Sequence, residues 1–457
     1  MAARTTPSAP APPIVPPSAA KSRGLLRILG VLFGATIIVG NTIASGILRT
    51  PGDVAAALPS PPWFIGVWIA GGLYAMCGAM TMAELAAMLP RSGGQYVFAR
   101  RAMGEYAGFV IGWTDWISSA ASIAAGAIAL GELTGALWPT AAPSGTVIAI
   151  TVTVVFTALH WIGVRSGDVA TQVWGFVKVA TLFAVAVACL LAPRAVAATA
   201  EAPVFPSGIA LAGALVIAFQ AVLYTYDGWT GYAYFGGEVR DPRQVPRAMA
   251  LGVLSVTAVY VALNWAFLHT LGIDGLAGEK FAARSAAIAV FGTAGDRVVS
   301  AVMALSLLGG VSALIMLTCR VPFAMADDGL LPRAVARVNR GGTPDVSLLG
   351  TAVVVLLLIA TGTFSSVLAL AAFFFVMQYG VSFASLFILR WREPDVPRPY
   401  RAIGYPVIPA IVLLGAIAFV MGSFLGDREN TLKSVLVLVA SYPAYRLVIW
   451  LRARSRS

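Results

Sequence analysis

Two short runs of this chain set small and hydrogen-bonding residues in the middle of long apolar stretches. They are Gly40-Asn41-Thr42-Ile43-Ala44-Ser45-Gly46, in the first stretch, and Tyr224-Thr225-Tyr226-Asp227-Gly228-Trp229, in the sixth. In hydrocarbon a helix keeps every backbone group bonded, because no water is at hand to replace a lost partner. Polar and small residues at that depth predict a helix that unwinds around something polar. A half-helix beginning near Ala44 would offer the N–H groups of Ser45, Gly46 and Ile47, and its positive dipole end, to a carboxylate. Carbonyls released near Thr42, Tyr224 and Asp227 would accept the donors of an ammonium. Small side chains at 44–46 let a ligand approach the backbone closely. Two such breaks five spans apart are the pattern of an inverted-repeat carrier with its site at the membrane midplane.

Other residues add chemistry around these runs. Asp227 either caps the helix that resumes after the second break or pairs with a cationic side chain on a ligand. Tyr224 and Trp229 are candidates to fold over a bound molecule. Lys178 is the sole Lys or Arg placed mid-span, where its charge needs carbonyls, water or a partner. If it sheds and regains its proton, which burial of an ammonium favours, it couples movement to protons; if it stays charged it is a fixed strut. Ser312 in the eighth span and Gln378 in the tenth are candidates for a side-chain pocket. Glu84 and Asp115, near span ends, read as loop anchors, and Glu132 as a solvated residue near a surface. Cys77, Cys189 and Cys319 lie in apolar runs with no disulfide or zinc spacing, and neither His160 nor His269 belongs to a metal motif. No metal or cofactor is expected. Nothing resembles a phosphate-cradling glycine loop, which gives ATP-driven chemistry no support.

The elements that must position these residues are membrane spans. Charged residues make up 11% of the chain and mean hydropathy is +0.84, far from a soluble balance. Twelve apolar runs are each long enough to cross a hydrocarbon core: 26–49, 63–88, 104–133, 146–164, 168–192, 209–235, 247–271, 297–323, 345–363, 366–390, 405–425 and 431–451. Residues 1–25, rich in Ala, Pro and Ser at the start, read as a disordered tail without a cleavable signal's apolar region, and 452–457 as a second short tail. The net charge of +11 is not a nucleic-acid surface. Of the 31 Lys and Arg, 23 fall in the two tails and the even-numbered loops and 7 in the odd-numbered loops. That bias predicts a multi-pass protein of the cell (inner or plasma) membrane with both termini cytoplasmic.

Five stretches, in order, also resemble the amino acid–polyamine–organocation (APC) superfamily of transporters. They are Val39–Ile47 followed by Arg49-Thr50-Pro51-Gly52, Glu84-Leu85 through Leu89–Val97, Gly237–Pro242 with Val245–Ala248, Asp327–Pro332, and Pro397–Arg401. The likeness is closest to the L-type amino acid transporter branch and its bacterial relatives. It implies an all-α membrane fold of twelve transmembrane helices, built as a five-plus-five inverted repeat (26–192 and 209–390) with helices 1 and 6 broken, and two accessory helices at 405–451. It places a substrate's carboxylate at Ser45–Gly46, its ammonium at the carbonyls of Thr42, Tyr224 and Asp227, and Lys178 against the first break. Where the family usually reads Gly-Ser-Gly, this chain has Ala44-Ser45-Gly46.

The expected activity is secondary active transport of amino acids by alternating access, sodium-independent, by exchange or with protons. The alternatives are a polyamine or organic-cation carrier of the same fold, or an amino acid sensor that moves nothing. An enzyme is not expected. The loop at 134–145 lacks the Cys by which heteromeric members attach a glycoprotein, so no disulfide-linked heavy chain is expected. The expected partners are the amino acid and the lipid bilayer.

Overall fold

In the computed structural model the described residues lie between 30 and 454, excepting Ala44, Ser92, 139–142, 163–179, 193–204, 237–238 and 340–341. Ala44 and Lys178 therefore lie outside the described residues. Helices carry nearly all of the rest. They are α1 (Val31–Thr42), α2 (Ser45–Arg49), α3 (Pro51–Ala57), α4 (Pro61–Met88), α5 (Gln95–Met103), α6 (Glu105–Leu137), α7 (Gly145–Ile162) and α8 (Ala180–Leu191). The second part of the chain continues with α9 (Gly208–Tyr226), α10 (Val245–Leu276), α11 (Ala282–Thr318), α12 (Arg320–Asp327), α13 (Asp345–Thr361), α14 (Phe364–Arg392), α15 (Val407–Gly426) and α16 (Arg428–Arg454).

Ten helical stretches among the described residues are long and apolar enough to cross a membrane, and α8 and α13 are shorter apolar helices. The chain is a multi-pass α-helical membrane protein. Each helix starts and stops where the sequence withdraws hydrogen-bonding capacity. Pro61 opens α4 at a position whose N–H would be unpaired anyway. Thr363 and Ser366 close a reciprocal capping box on α14. The eighth apolar run is longer than expected: α11 begins at Ala282, and Gly292 inside it leaves the helical region.

The centre of the bundle is α6 and α14, the most buried of the long helices, whereas α7 and α16 keep most of their surface exposed. α6 packs on α14 and α11, and α10 packs on α4 and α1. Exposed apolar side chains such as Leu254, Leu357, Ile411 and Leu436 sit on the outward faces, the arrangement for lipid contact.

One end of the bundle is clamped by Glu84. Arg390 grips its carboxylate with two bonds, at 2.9 and 2.5 Å, Arg398 Nε lies 3.1 Å away, and the Ala402 N–H donates at 2.6 Å. Glu84 thereby ties α4 and α14 to the loop before α15, the anchoring role read from the sequence.

Candidate functional site

The two polar runs meet in the structure. α1 ends at Thr42, Ile43 takes φ −76° and ψ 88°, and helix resumes at Ser45. α9 ends at Tyr226, and Asp227 takes φ −59° and ψ 147°. The predicted sixth span ran to 235, with Asp227-Gly228-Trp229 restarting a helix. Here the structure corrects the expectation: residues 227–230 form a turn, followed by a single 3-10 turn, Gly231–Tyr234. Gly228 shows why. Its φ is +118°, and a β-carbon there would lie 2.7 Å from Thr42 Oγ1 and 2.8 Å from the Thr42 nitrogen. The second break is pressed against the end of α1 and has to turn away.

On the other side, α2 approaches α9 as closely. A β-carbon on Gly46 would sit 2.7 Å from Thr225 Oγ1 and 2.8 Å from its α-carbon. Ser45 Oγ is 3.1 Å from the Tyr224 hydroxyl, and Thr50 Oγ1 is 2.9 Å from Thr225 Oγ1. Ser45, Gly46 and Ile47 are all buried. A narrow void of about 140 Å³ of empty space lies beside Thr42, walled by Ile38, Ala75, Tyr226, Trp229, Val253 and Val256. Thr42 Oγ1 is buried there without a hydrogen-bond partner. Asn41, one residue earlier, is exposed.

Sequence reasoning missed Tyr260, which organises both breaks. From α10 its wholly buried hydroxyl reaches the Thr42 carbonyl at 2.7 Å and the Thr225 carbonyl at 3.0 Å. Thus the last carbonyl of α1 and one from the last turn of α9 share one donor. The rings of Trp68 and Tyr226 pack edge-on or tilted around it at 5.9 and 5.1 Å. A tyrosine in an apolar helix is a weak signal, but Tyr260 and Asn264 are one turn apart and so share a face. The Asn264 amide donates to the Tyr260 carbonyl at 2.8 Å.

The Asp227 carboxylate receives the hydroxyl of Tyr379 on α14, and the Tyr379 ring lies 4.7 Å from that of Trp229. Asp227 is thus bound to a neutral donor across the bundle. Asp115, read as a loop anchor, accepts from the Tyr234 hydroxyl at 2.9 Å, just past the second break. Gln378 is buried against α6, with Nε2 3.4 Å from both Thr114 Oγ1 and Ser118 Oγ. Ser312 turns instead toward α7: its hydroxyl and carbonyl oxygens lie 3.1 and 2.9 Å from His160 Nε2.

A charged cluster covers the end of the site beyond α2. Arg49 pairs with Glu132 at 2.9 Å and with Asp53 at 3.2 Å, and Lys280 lies 3.9 Å from Glu132. The Arg49 guanidinium sits 4.8 Å over the Phe364 ring, whose other neighbour is Tyr224 at 6.5 Å. Glu132, read as a solvated residue, is a central member of this lid.

The fold and site define a multi-pass helical membrane protein in which two helix ends meet at a buried polar point. A family model for the amino acid permeases matches residues 24–443. The chain belongs to the amino acid permease family, whose members are transporters and not enzymes. It is 29% identical over 442 residues to the serine/threonine exchanger SteT of Bacillus subtilis, covering 93% of this chain and 97% of that protein. It is 28% identical over 407 residues to the human large neutral amino acids transporter small subunit 2, covering 84% of this chain and 74% of that one. Over 452 residues it is 26% identical to the rat b(0,+)-type amino acid transporter 1, at 95% and 90% coverage.

Proposed function

We propose that this protein exchanges small neutral amino acids across the cell membrane, independently of sodium, by alternating access around the two meeting breaks. The observation that carries the reading is the mutual packing of the breaks: Gly228 against Thr42, Gly46 against Thr225, and Ser45 against Tyr224. The substrate carboxylate docks on the N–H groups of Ser45, Gly46 and Ile47, beside Ala44. Its ammonium docks on the carbonyls of Thr42, Tyr224 and Asp227. The Thr42 carbonyl already accepts from Tyr260 and the Tyr224 carbonyl from the Asp227 N–H at 3.2 Å, and a carbonyl oxygen has a second lone pair for the ligand. Tyr224 and Trp229 cover the bound molecule. Arg49, Glu132, Lys280 and Asp53 form the outer closure.

In this reading the apolar runs are twelve spans, with α1–α2 and α9 with the turn after it as the broken first and sixth. Residues 26–192 and 209–390 are the inverted repeats, 405–451 the accessory pair, and both termini are cytoplasmic. Lys178 is a fixed positive strut. The free cysteines Cys77, Cys189 and Cys319 all sit in apolar runs, which supports function without a disulfide-linked subunit.

Reconstitution in liposomes tests this. Labelled amino acid uptake should require unlabelled amino acid inside and ignore both sodium and an inward proton gradient. Uptake into empty vesicles driven by external acid would replace exchange by proton symport, with Lys178 the first candidate carrier. Binding without uptake would leave a sensor. Equal competition by an amino acid and its methyl ester would favour an organic-cation carrier.

A further inference from the structure

Gln378 lies on the face of α14 turned to α6 and is wholly buried. Its amide nitrogen is 3.4 Å from two hydroxyl oxygens one turn apart on α6, those of Thr114 and Ser118. Both hydroxyls have committed their protons to helix carbonyls. Thr114 donates to Val110 at 2.9 Å, and Ser118 donates to Asp115 at 3.1 Å. A hydroxyl whose single proton is engaged can only accept. The two together fix the amide with nitrogen toward α6, because the flipped orientation would set its oxygen against two oxygens with no proton to give. Gln378 Oε1 is left buried with no hydrogen-bond partner. A buried acceptor without a donor is costly, and in a native protein it calls for an explanation.

Its position supplies one. One turn along α6 from Ser118, Ser122 donates to the Ser118 carbonyl at 3.2 Å and hydrogen-bonds the Tyr224 hydroxyl. On α14 the next residue, Tyr379, holds Asp227 and lies against Trp229. The free oxygen therefore lies between the Ser45–Tyr224 pair and the Asp227–Tyr379–Trp229 group. A stripe of hydroxyls at 114, 118 and 122 runs along the same wall.

We propose that Gln378 Oε1 accepts the side-chain hydroxyl of the substrate, so that the protein selects serine and threonine over alanine and valine. This rests on the two breaks being the amino acid site. A neutral amide oxygen suits a neutral donor; a cationic side chain would call for a carboxylate at that point, and an apolar one would leave the oxygen unpaired. Threonine and valine provide the discriminating pair, because they differ by a hydroxyl for a methyl at nearly the same size.

The test is exchange in proteoliposomes loaded with serine, with external threonine and valine as competitors. Wild-type protein should favour threonine by about ten-fold, the worth of one buried hydrogen bond. Gln378→Met keeps the length of the side chain, removes the acceptor and strands no donor, since Thr114 and Ser118 only accept from the amide. It should bring the threonine-to-valine ratio to about one. A variant ratio equal to that of wild type would overturn the proposal, as would a wild-type protein that binds threonine and valine equally in a thermal-shift assay, which needs no variant to fold. Wild-type protein that neither binds nor exchanges any amino acid would instead overturn the reading of the breaks.

Discussion

Replacing Tyr260 by phenylalanine removes one oxygen and leaves the ring, with its packing on Trp68 and Tyr226, in place. That oxygen is the donor seen at the carbonyls of Thr42 and Thr225, 2.7 and 3.0 Å away. Without it, two buried carbonyls at helix ends lose a partner that the closed arrangement cannot replace with water. A hydrogen bond between neutral groups contributes about 1 kcal/mol net, and stranding a buried acceptor costs about 1–3 kcal/mol. Taking roughly 1–3 kcal/mol in all, the closed arrangement should lose about 5- to 150-fold against any arrangement in which the breaks separate and hydrate. If the substrate binds where the breaks meet, that loss appears in apparent affinity, because only the fraction of protein with the breaks together is competent. The assay is concentration-dependent exchange in proteoliposomes, with melting of the detergent-solubilised protein measured with and without substrate. Tyr260→Phe should raise the apparent KM at least five-fold and lower the melting temperature. A variant with KM and melting both indistinguishable from wild type would refute the dependence of the two helix ends on this hydroxyl.

Gly46→Ala should be more severe for transport than its single methyl implies. The added carbon meets the backbone of Thr225 at 2.8 Å, and relieving such overpacking typically costs about 1–3 kcal/mol; exchange should fall at least ten-fold, whereas Gly40→Ala, with nothing within 4 Å of the new carbon, should leave the helix packing unchanged in a melting assay. Glu84→Ala leaves Arg390 and Arg398 facing each other with no carboxylate between them. Breaking such a buried pair costs about 3–5 kcal/mol, so the yield of folded protein and its melting temperature should both fall sharply. A melting temperature equal to wild type would show that the clamp contributes little.

The apolar runs and their polar interruptions were legible because a bilayer leaves the backbone few choices: any span must be helical, and any polar run within one must have a reason. The ends of α1 and α9 lie close to where residue types alone put them, at Thr42 and Tyr226. Glu84 was legible as an anchor because a carboxylate at a span end needs donors. What followed the second break was not legible. Asp-Gly-Trp is a good helix start in isolation, and only the pressure of Thr42 against Gly228 turns the chain into a single 3-10 turn. Ser312 and Gln378 looked alike as lone polar residues in apolar helices, yet one faces His160 on α7 and the other Thr114 and Ser118 on α6.

The sequence by itself determined the class: a helical membrane protein with two polar interruptions, since composition and hydrogen-bond satisfaction in hydrocarbon are local constraints that each segment meets alone. The tertiary structure decided which groups meet. Tyr260 lies 218 residues from Thr42 and 35 from Thr225, and no local rule selects one tyrosine hydroxyl to join two helix ends. Only the packing of α10 against α1 and α4 brings it there, because partner choice for a buried donor depends on which helices the whole bundle sets side by side.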